Sequence, residues 1–247
     1  MKKIKFIDLS IFLLFIFIIL TFFQGYQCKY LKLSYCKIDF FENILLENGF
    51  IENLQSTFLF LAIIFLFISF KKFNHNKLIK IFLTIKVIAL IYYLGEEISW
   101  GQHFFKWISP DFFLDYNNQD ETNLHNISNL LDQLPRTLVM IWCGLIPIIF
   151  YYLKKKFTFR NESNLIMLPN KRLLYISIIF LIFFLPDFIV DKLSLHPGHY
   201  IDGKDIEGAI FYDIISLNFL RLSEIHELIF CFYFLIYSIS FSRYQLK

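Results

Sequence analysis

The octapeptide Gly95-Glu96-Glu97-Ile98-Ser99-Trp100-Gly101-Gln102 sets two adjacent carboxylates at the end of the apolar run Ile81–Leu94. An ionisable residue beside such a run is costly unless it faces a protein interior or a wet cavity, so it marks a site. If the helix continued through Glu96, then Glu96, Trp100 and His103 would share one face. Glu97 would lie about 100° round, over Gly101. Two neighbouring acids repel each other, and one tends to hold a proton unless a cation is near. That chemistry suits acid–base work, metal binding or a proton relay. The opposing reading is that both acids sit at an interface and cap or pair with nearby helices.

A second polar cluster follows, Asn117-Asn118-Gln119-Asp120-Glu121-Thr122-Asn123-Leu124-His125-Asn126. Its first four residues read as a turn. In a helix, Glu121 and His125 would share a face, a spacing that can hold a metal or orient a general base. Arg221, Glu224, His226 and Glu227 stand near the start of the last apolar run, and Glu52 near the start of the second. Helix-borne carboxylates with histidine are the parts of bundle metal sites. His196 and His199 flank Pro197-Gly198, which spells an exposed turn. No phosphate-cradling glycine loop, nucleophile elbow or cysteine-rich zinc pattern is present.

These residues must be positioned by a chain of 247 residues that is 57% hydrophobic and 18% charged, with 33 phenylalanines. The apolar residues form unbroken runs rather than stripes, as in segments that face lipid all round. The expected fold class is therefore all-α: a polytopic transmembrane helical bundle in one integral membrane domain, with no marked linker or internal repeat. Six spans of roughly 17–25 residues can be drawn: Ile7–Gln24, Ile51–Phe70, Leu78–Ile98, Thr137–Leu153, Arg172–Val190 and Leu217–Phe241. Lys2, Lys3 and Lys5 precede the first, which has no small-residue cleavage site and reads as an uncleaved anchor.

Placing both termini inside (N-in/C-in) puts Lys71, Lys72, Lys77 and Lys80, the basic stretch Lys154–Arg172, and Arg243 and Lys247 on one side, as the positive-inside rule asks. Lys86 is then expected to snorkel to the inner surface. The net charge of +3 describes that inner face, not a nucleic-acid binder. The outer segments, Gly25–Gly49, Gln102–Arg136 and Asp191–Ser216, are richer in acids and turn formers. Cys28 and Cys36 share the first of them, where a disulfide is allowed. The expected location is the inner (cytoplasmic) membrane of a bacterium, multi-pass.

The octapeptide, followed by Pro110 and by Gln119-x-Glu121-Thr122-Asn123-Leu124-His125-Asn126, resembles a family of bacterial multi-pass membrane proteins of uncharacterised activity. Glu47-x-Gly49-x-Ile51-Glu52 is similar to that family too, so the resemblance covers about Glu47 to Leu130. It implies that Glu96, Glu97, Trp100, Gln102, Glu121, Asn123, His125 and Asn126 belong to the family's site. His103 stands where the family's pattern often has arginine, which counts against a ligand role for it.

The sequence therefore points to an outward-facing acidic and histidine site, enzyme-like, acting on a lipid or lipid-linked substrate. Glu97 and His125 would serve as base or ligands, with Glu96 and Glu121 supporting. Trp100, Gln102, Asn123 and Asn126 would bind substrate. If a divalent metal takes part, Glu97, His125, Glu224 and Glu227 are its candidate ligands. Two rivals stay open: an ion-coupled transporter or permease, and a structural membrane subunit that binds a periplasmic partner. The discriminating observation is whether the second cluster folds back onto Glu96 or Glu97.

Overall fold

The computed structural model of the chain describes residues 6–31, 49–73, 75–117, 120–125, 127–153, 166–192 and 222–243. Regular structure among these residues is helical throughout. The long helices are α1 (Phe6–Leu31), α2 (Phe50–Lys72) and α3 (Lys77–Glu97). Two short ones follow, α4 (Gln102–Phe105) and α5 (Asp111–Tyr116). Next, α6 (Asn129–Met140) runs through a π-helical turn at Ile141–Leu145 into α7 (Ile146–Leu153). The chain ends with α8 (Lys171–Lys192) and α9 (Leu222–Ser242).

Five segments are long and apolar enough to cross a membrane: Phe6–Gly25, Phe50–Lys72, Lys77–Glu97, Gln133–Leu153 and Ser223–Ser242. The expected stretch Arg172–Val190 falls within α8. Several boundaries differ from expectation. Helix α1 runs past Gln24 to Leu31, so Cys28 lies on a helix rather than in a loop. Cys36 and the Cys28 side chain fall outside the described residues, as do His196, His199 and Arg221. Helix α6 starts eight residues before Thr137, because Ser128 caps it, its Oγ accepting from the Leu131 N–H at 3.3 Å. Asn76 caps α3 in the same way, accepting from the Ile79 N–H at 3.1 Å.

The elements group into two compact units, Met1–Ile51 with Ile178–Glu227, and Glu52–Ser177 with Leu228–Lys247. In the first, Ile7, Ile11, Leu14 and Ile18 are buried along α1. The His226 ring lies edge-on to Phe180 and Phe184, at 5.5 and 5.7 Å between centroids. The second unit is built round α9, where every residue from Leu228 to Ser238 is buried. Phe58 packs on Phe232, and Phe73 and Phe82 on Phe241. Lys72 donates through Nζ to the Ser242 carbonyl, satisfying an orphan acceptor at the end of α9.

Burial separates the helices sharply. The segment Ser223–Ser242 is 83% buried, whereas the other four are 17–33% buried. Helix α3 shows the division along its own length: Leu83, Val87 and Leu90 are buried, while Ile81, Ile85 and Ile88 are exposed. A contiguous apolar face of this kind needs an apolar surrounding.

Lys86 overturns one expectation. Its ammonium does not reach toward a helix end. It lies 3.4 Å from the Trp142 ring centroid, with Phe234, Phe82 and Tyr237 at 5.6, 5.7 and 5.9 Å. Aromatic faces attract a desolvated cation by about 2 kcal/mol or more, enough to compete with snorkelling.

The two faces of α3 predict a contrast. Leu83→Ala opens a void among buried side chains and should cost about 2–5 kcal/mol. Ile85→Ala should stay within about 0.5 kcal/mol. Unfolding of the two variants in one detergent checks the pair, and equal effects would contradict the assignment of faces.

Candidate functional site

Helix α3 stops at Glu97, short of the helical continuation that would have stacked Glu96, Trp100 and His103. The chain turns through three consecutive left-handed residues, Ser99 (φ 45°), Trp100 (φ 54°) and Gly101 (φ 103°). Only glycine takes this region without penalty; each of the other two costs about 1–2 kcal/mol. Strain of that kind persists where surrounding contacts over-determine it. The turn folds the Trp100 indole back over Gly95, where an added Cβ would lie 2.9 Å from the ring. The bare face of Gly95 thus admits a tryptophan of its own chain.

Trp100 Nε1 donates to Glu96 Oε1 at 2.9 Å. The other oxygen, Oε2, accepts the backbone N–H groups of Leu124 and His125 at 2.7 and 2.9 Å. It also meets His125 Nδ1 at 3.3 Å. The buried carboxylate thus gathers a donor set that suits an ionised, acceptor-only group. It binds the second polar cluster to the end of α3. Residues 121–125 are not helical, so Glu121 and His125 do not share a helical face as expected. They face different partners.

Glu121 belongs to a neighbouring knot. Its Oε2 accepts from Ser99 Oγ at 2.7 Å and from Asn123 Nδ2 at 2.6 Å. Asn117 Nδ2 reaches Asn123 Oδ1 at 2.9 Å and the Glu121 carbonyl at 2.6 Å. Ser99, Asn117 and Asn123 are all buried. This knot holds the strained Ser99 in place.

Gln102 makes a third clasp. Its Oε1 accepts from the Thr122 N–H and Oγ1 at 2.7 and 2.6 Å, and its Nε2 donates to Ser109 Oγ at 3.0 Å. Ser109 Oγ in turn donates to the Asp120 carbonyl at 2.6 Å, and Trp107 Nε1 donates to Thr122 Oγ1 at 3.1 Å. Gln102 and Asn123, expected to touch substrate, therefore spend their amides on the loop itself.

Of the turn expected at Asn117–Asp120, Asn118 and Gln119 lie outside the described residues; the Asp120 N–H reaches the Asn117 carbonyl at 3.2 Å. Glu97 is half-buried at the last position of α3. His125 is more open, its side chain 37% exposed against 7% for Glu96. Asn126 and the His103 side chain lie outside the described residues. Glu224 and Glu227 stand on α9 in the first unit, while Glu96, Glu121 and His125 belong to the second. No group of three or more His, Cys, Asp or Glu suited to a metal ion occurs among the described residues. Glu96 and Glu121 also turn oxygens toward N–H and O–H donors, a poor match for cation ligands.

Ser109 and Asn117 were not singled out as site residues by sequence. Their signal was modest: polar side chains inside the aromatic stretch Phe104–Tyr116 and its flank. That stretch forms an exposed apolar rim, with Phe105, Ile108, Phe112 and Tyr116 all outward and Phe105 stacked on Trp107 at 5.9 Å. Gly101 is tied to it, since an added Cβ would meet Trp107 at 3.2 Å.

No protein-family model, curated protein or solved structure matches the chain.

Two substitutions test the clamp. Glu96→Gln replaces one acceptor oxygen by a donor that faces other donors. The Leu124 and His125 amides should lose hydrogen-exchange protection by about 1–3 kcal/mol. Gly95→Ala should push the indole off the helix and shift Trp100 fluorescence, with a loss of about 1–3 kcal/mol from overpacking. Unchanged protection in the first or unchanged emission in the second would contradict the geometry.

Proposed function

We propose that the chain is a multi-pass membrane protein, six spans with both termini inside, carrying an acid–base site at the outer end of its third span. The site acts on a lipid or lipid-linked substrate. The location follows from the basic inner segments, and in a bacterium it is the inner membrane. The resemblance of the octapeptide and its partner segment to a family of multi-pass membrane proteins supports the multi-pass part of this reading and carries no reaction.

The observation that carries the proposal is the Glu96–His125 pair. With Nδ1 turned to the carboxylate, the imidazole has a fixed orientation and presents Nε2 as its proton-transfer nitrogen. Glu96 then stabilises the imidazolium that forms when His125 takes a proton. In this division of roles His125 is the general base and Glu96 orients it. Glu121 holds the turn, and Glu97 supplies a second carboxylate at the same helix end. The aromatic rim suits the boundary between headgroups and acyl chains, where amphipathic rings settle. No metal enters this scheme.

A second reading has its own support. So many polar groups are engaged within 99–125 that the loop also has the character of a rigid docking platform for a partner protein.

The test compares membrane lipids and lipid-linked intermediates from cells with the wild-type chain, no chain, or His125→Gln. Turnover should fall by about 10²–10⁴ in the variant, the range of a lost general base. The Leu124 and His125 amides should stay protected, showing that the clamp is intact. Identical profiles in all three strains would sink the catalytic reading and leave the docking platform.

A further inference from the structure

We propose that the second unit carries a binding surface for anionic phospholipid at the end where α3 and α8 begin, centred on Lys77. It rests on the proposed membrane placement and not on the Glu96–His125 pair. Contacts bring the basic helix ends of this unit together. Lys72, at the end of α2, donates to the Ser242 carbonyl at the end of α9. A tight turn follows, closed by the Asn76 N–H on the Phe73 carbonyl at 3.1 Å, and α3 opens with Lys77. Phe73 and Phe82 pack on Phe241, which keeps the start of α3 against the end of α9. The Tyr237 hydroxyl donates to the Met167 carbonyl at 2.8 Å, so the approach to α8 lies at the same end.

Lys71, Lys77, Lys171 and Arg243 are all exposed there. No acid occurs within 71–80, 166–175 or 237–243. Helix stability does not account for these charges. Lys77 and Lys171 stand in first helical turns, where the helix dipole disfavours a cation. Orientation in a membrane needs only a count of Lys and Arg in short loops. Neither requirement says on which face of a helix a cation should stand.

The face that Lys77 occupies identifies the partner. Ile81, Ile85 and Ile88 follow it at i+4, i+8 and i+11, on one side of α3. They are 49, 60 and 62% exposed. From Lys77 to Ile88 the axis runs about 16 Å at 1.5 Å per residue, close to half of a hydrocarbon core roughly 30 Å thick. A ligand that covers this face needs negative charge at one end and an apolar body one leaflet long. An acidic peptide would match the cations and leave the stripe bare. A zwitterionic phospholipid would cover the stripe without net charge for the cations. An anionic phospholipid does both. On α8, Lys171 and Tyr175 repeat the arrangement in small: the ammonium lies 5.8 Å from the ring centroid, and the exposed phenol suits the headgroup level.

Photocrosslinking reads the lipid at the stripe. The full chain, with benzoylphenylalanine in place of Ile81, is placed in vesicles of equal phosphatidylglycerol and phosphatidylcholine. It should capture phosphatidylglycerol in about fivefold excess, the weight of one cation at a charged bilayer surface. In place of Ile91, exposed toward the other end of α3, the same probe should capture both lipids equally. Lys77→Gln should bring the excess at position 81 toward parity. So should about 1 M salt, where screening acts within about 3 Å. Parity at position 81 in the unaltered chain overturns the proposal, as does an excess that survives both treatments or is matched at position 91. Polyglutamate retained by the protein beside lipid parity would give the surface to an acidic protein and overturn it too. No lipid captured at either position would fail the membrane placement itself, whereas lipid at parity fails this inference alone. If Lys77→Gln does not fold, the salt series decides: a falling excess supports the proposal and a constant one overturns it.

Discussion

One carboxylate holds the candidate site together. Glu96 stands in the last turn of an apolar helix and accepts from an indole, two consecutive backbone amides and an imidazole. Each contact restrains a different part of the chain. The indole contact closes the left-handed turn, the amides pin residues 124–125, and the imidazole contact fixes a ring that is otherwise more open to its surroundings. A neutral side chain in the same place would satisfy fewer of these donors. The charge is therefore integral to the fold of the loop, which is why a site here cannot be understood by treating Glu96 simply as a reactive acid.

The strain in the turn has meaning only beside this clamp. Ser99 and Trp100 occupy backbone conformations that ordinary residues avoid. Ser99 is locked by Glu121 and Asn123, and Trp100 by Glu96 and the bare face of Gly95. Gln102 then ties the far side of the turn to 109 and 122. Three small networks share one short segment, so a change in one is felt by the others and single-residue effects there will not add.

Much of this was legible in the sequence, for a definite reason. Two acids at the end of an apolar run and a polar cluster in an aromatic stretch are both costly in place, and expense marks position. The return of His125 to Glu96 was posed as a question by those residues, and geometry answers it. Other features left little trace. Ser99 and Trp100 carry no sign of a left-handed turn; only Gly101 does. Gln102 and Asn123 are the same residue types whether they bind substrate or their own loop. The ring set round Lys86 comes from positions 82, 142, 234 and 237, too far apart in sequence for any periodicity to connect. The helical class needed only unbroken apolar runs, whereas helix ends depended on single caps such as Ser128.

The order of synthesis gives the clamp another consequence. Leu124 and His125 lie 28 and 29 residues downstream of the carboxylate that they satisfy. At about 5–20 residues per second, the ribosome makes them roughly 1.5–6 seconds after Glu96. A nascent α3 therefore ends in an acid whose Oε2 lacks its two backbone donors for that interval. Until then the Trp100 indole, four residues on, and water are the donors to hand for the carboxylate. The loop locks only after its last donors are made, so closure of the clamp follows, and does not accompany, the formation of α3.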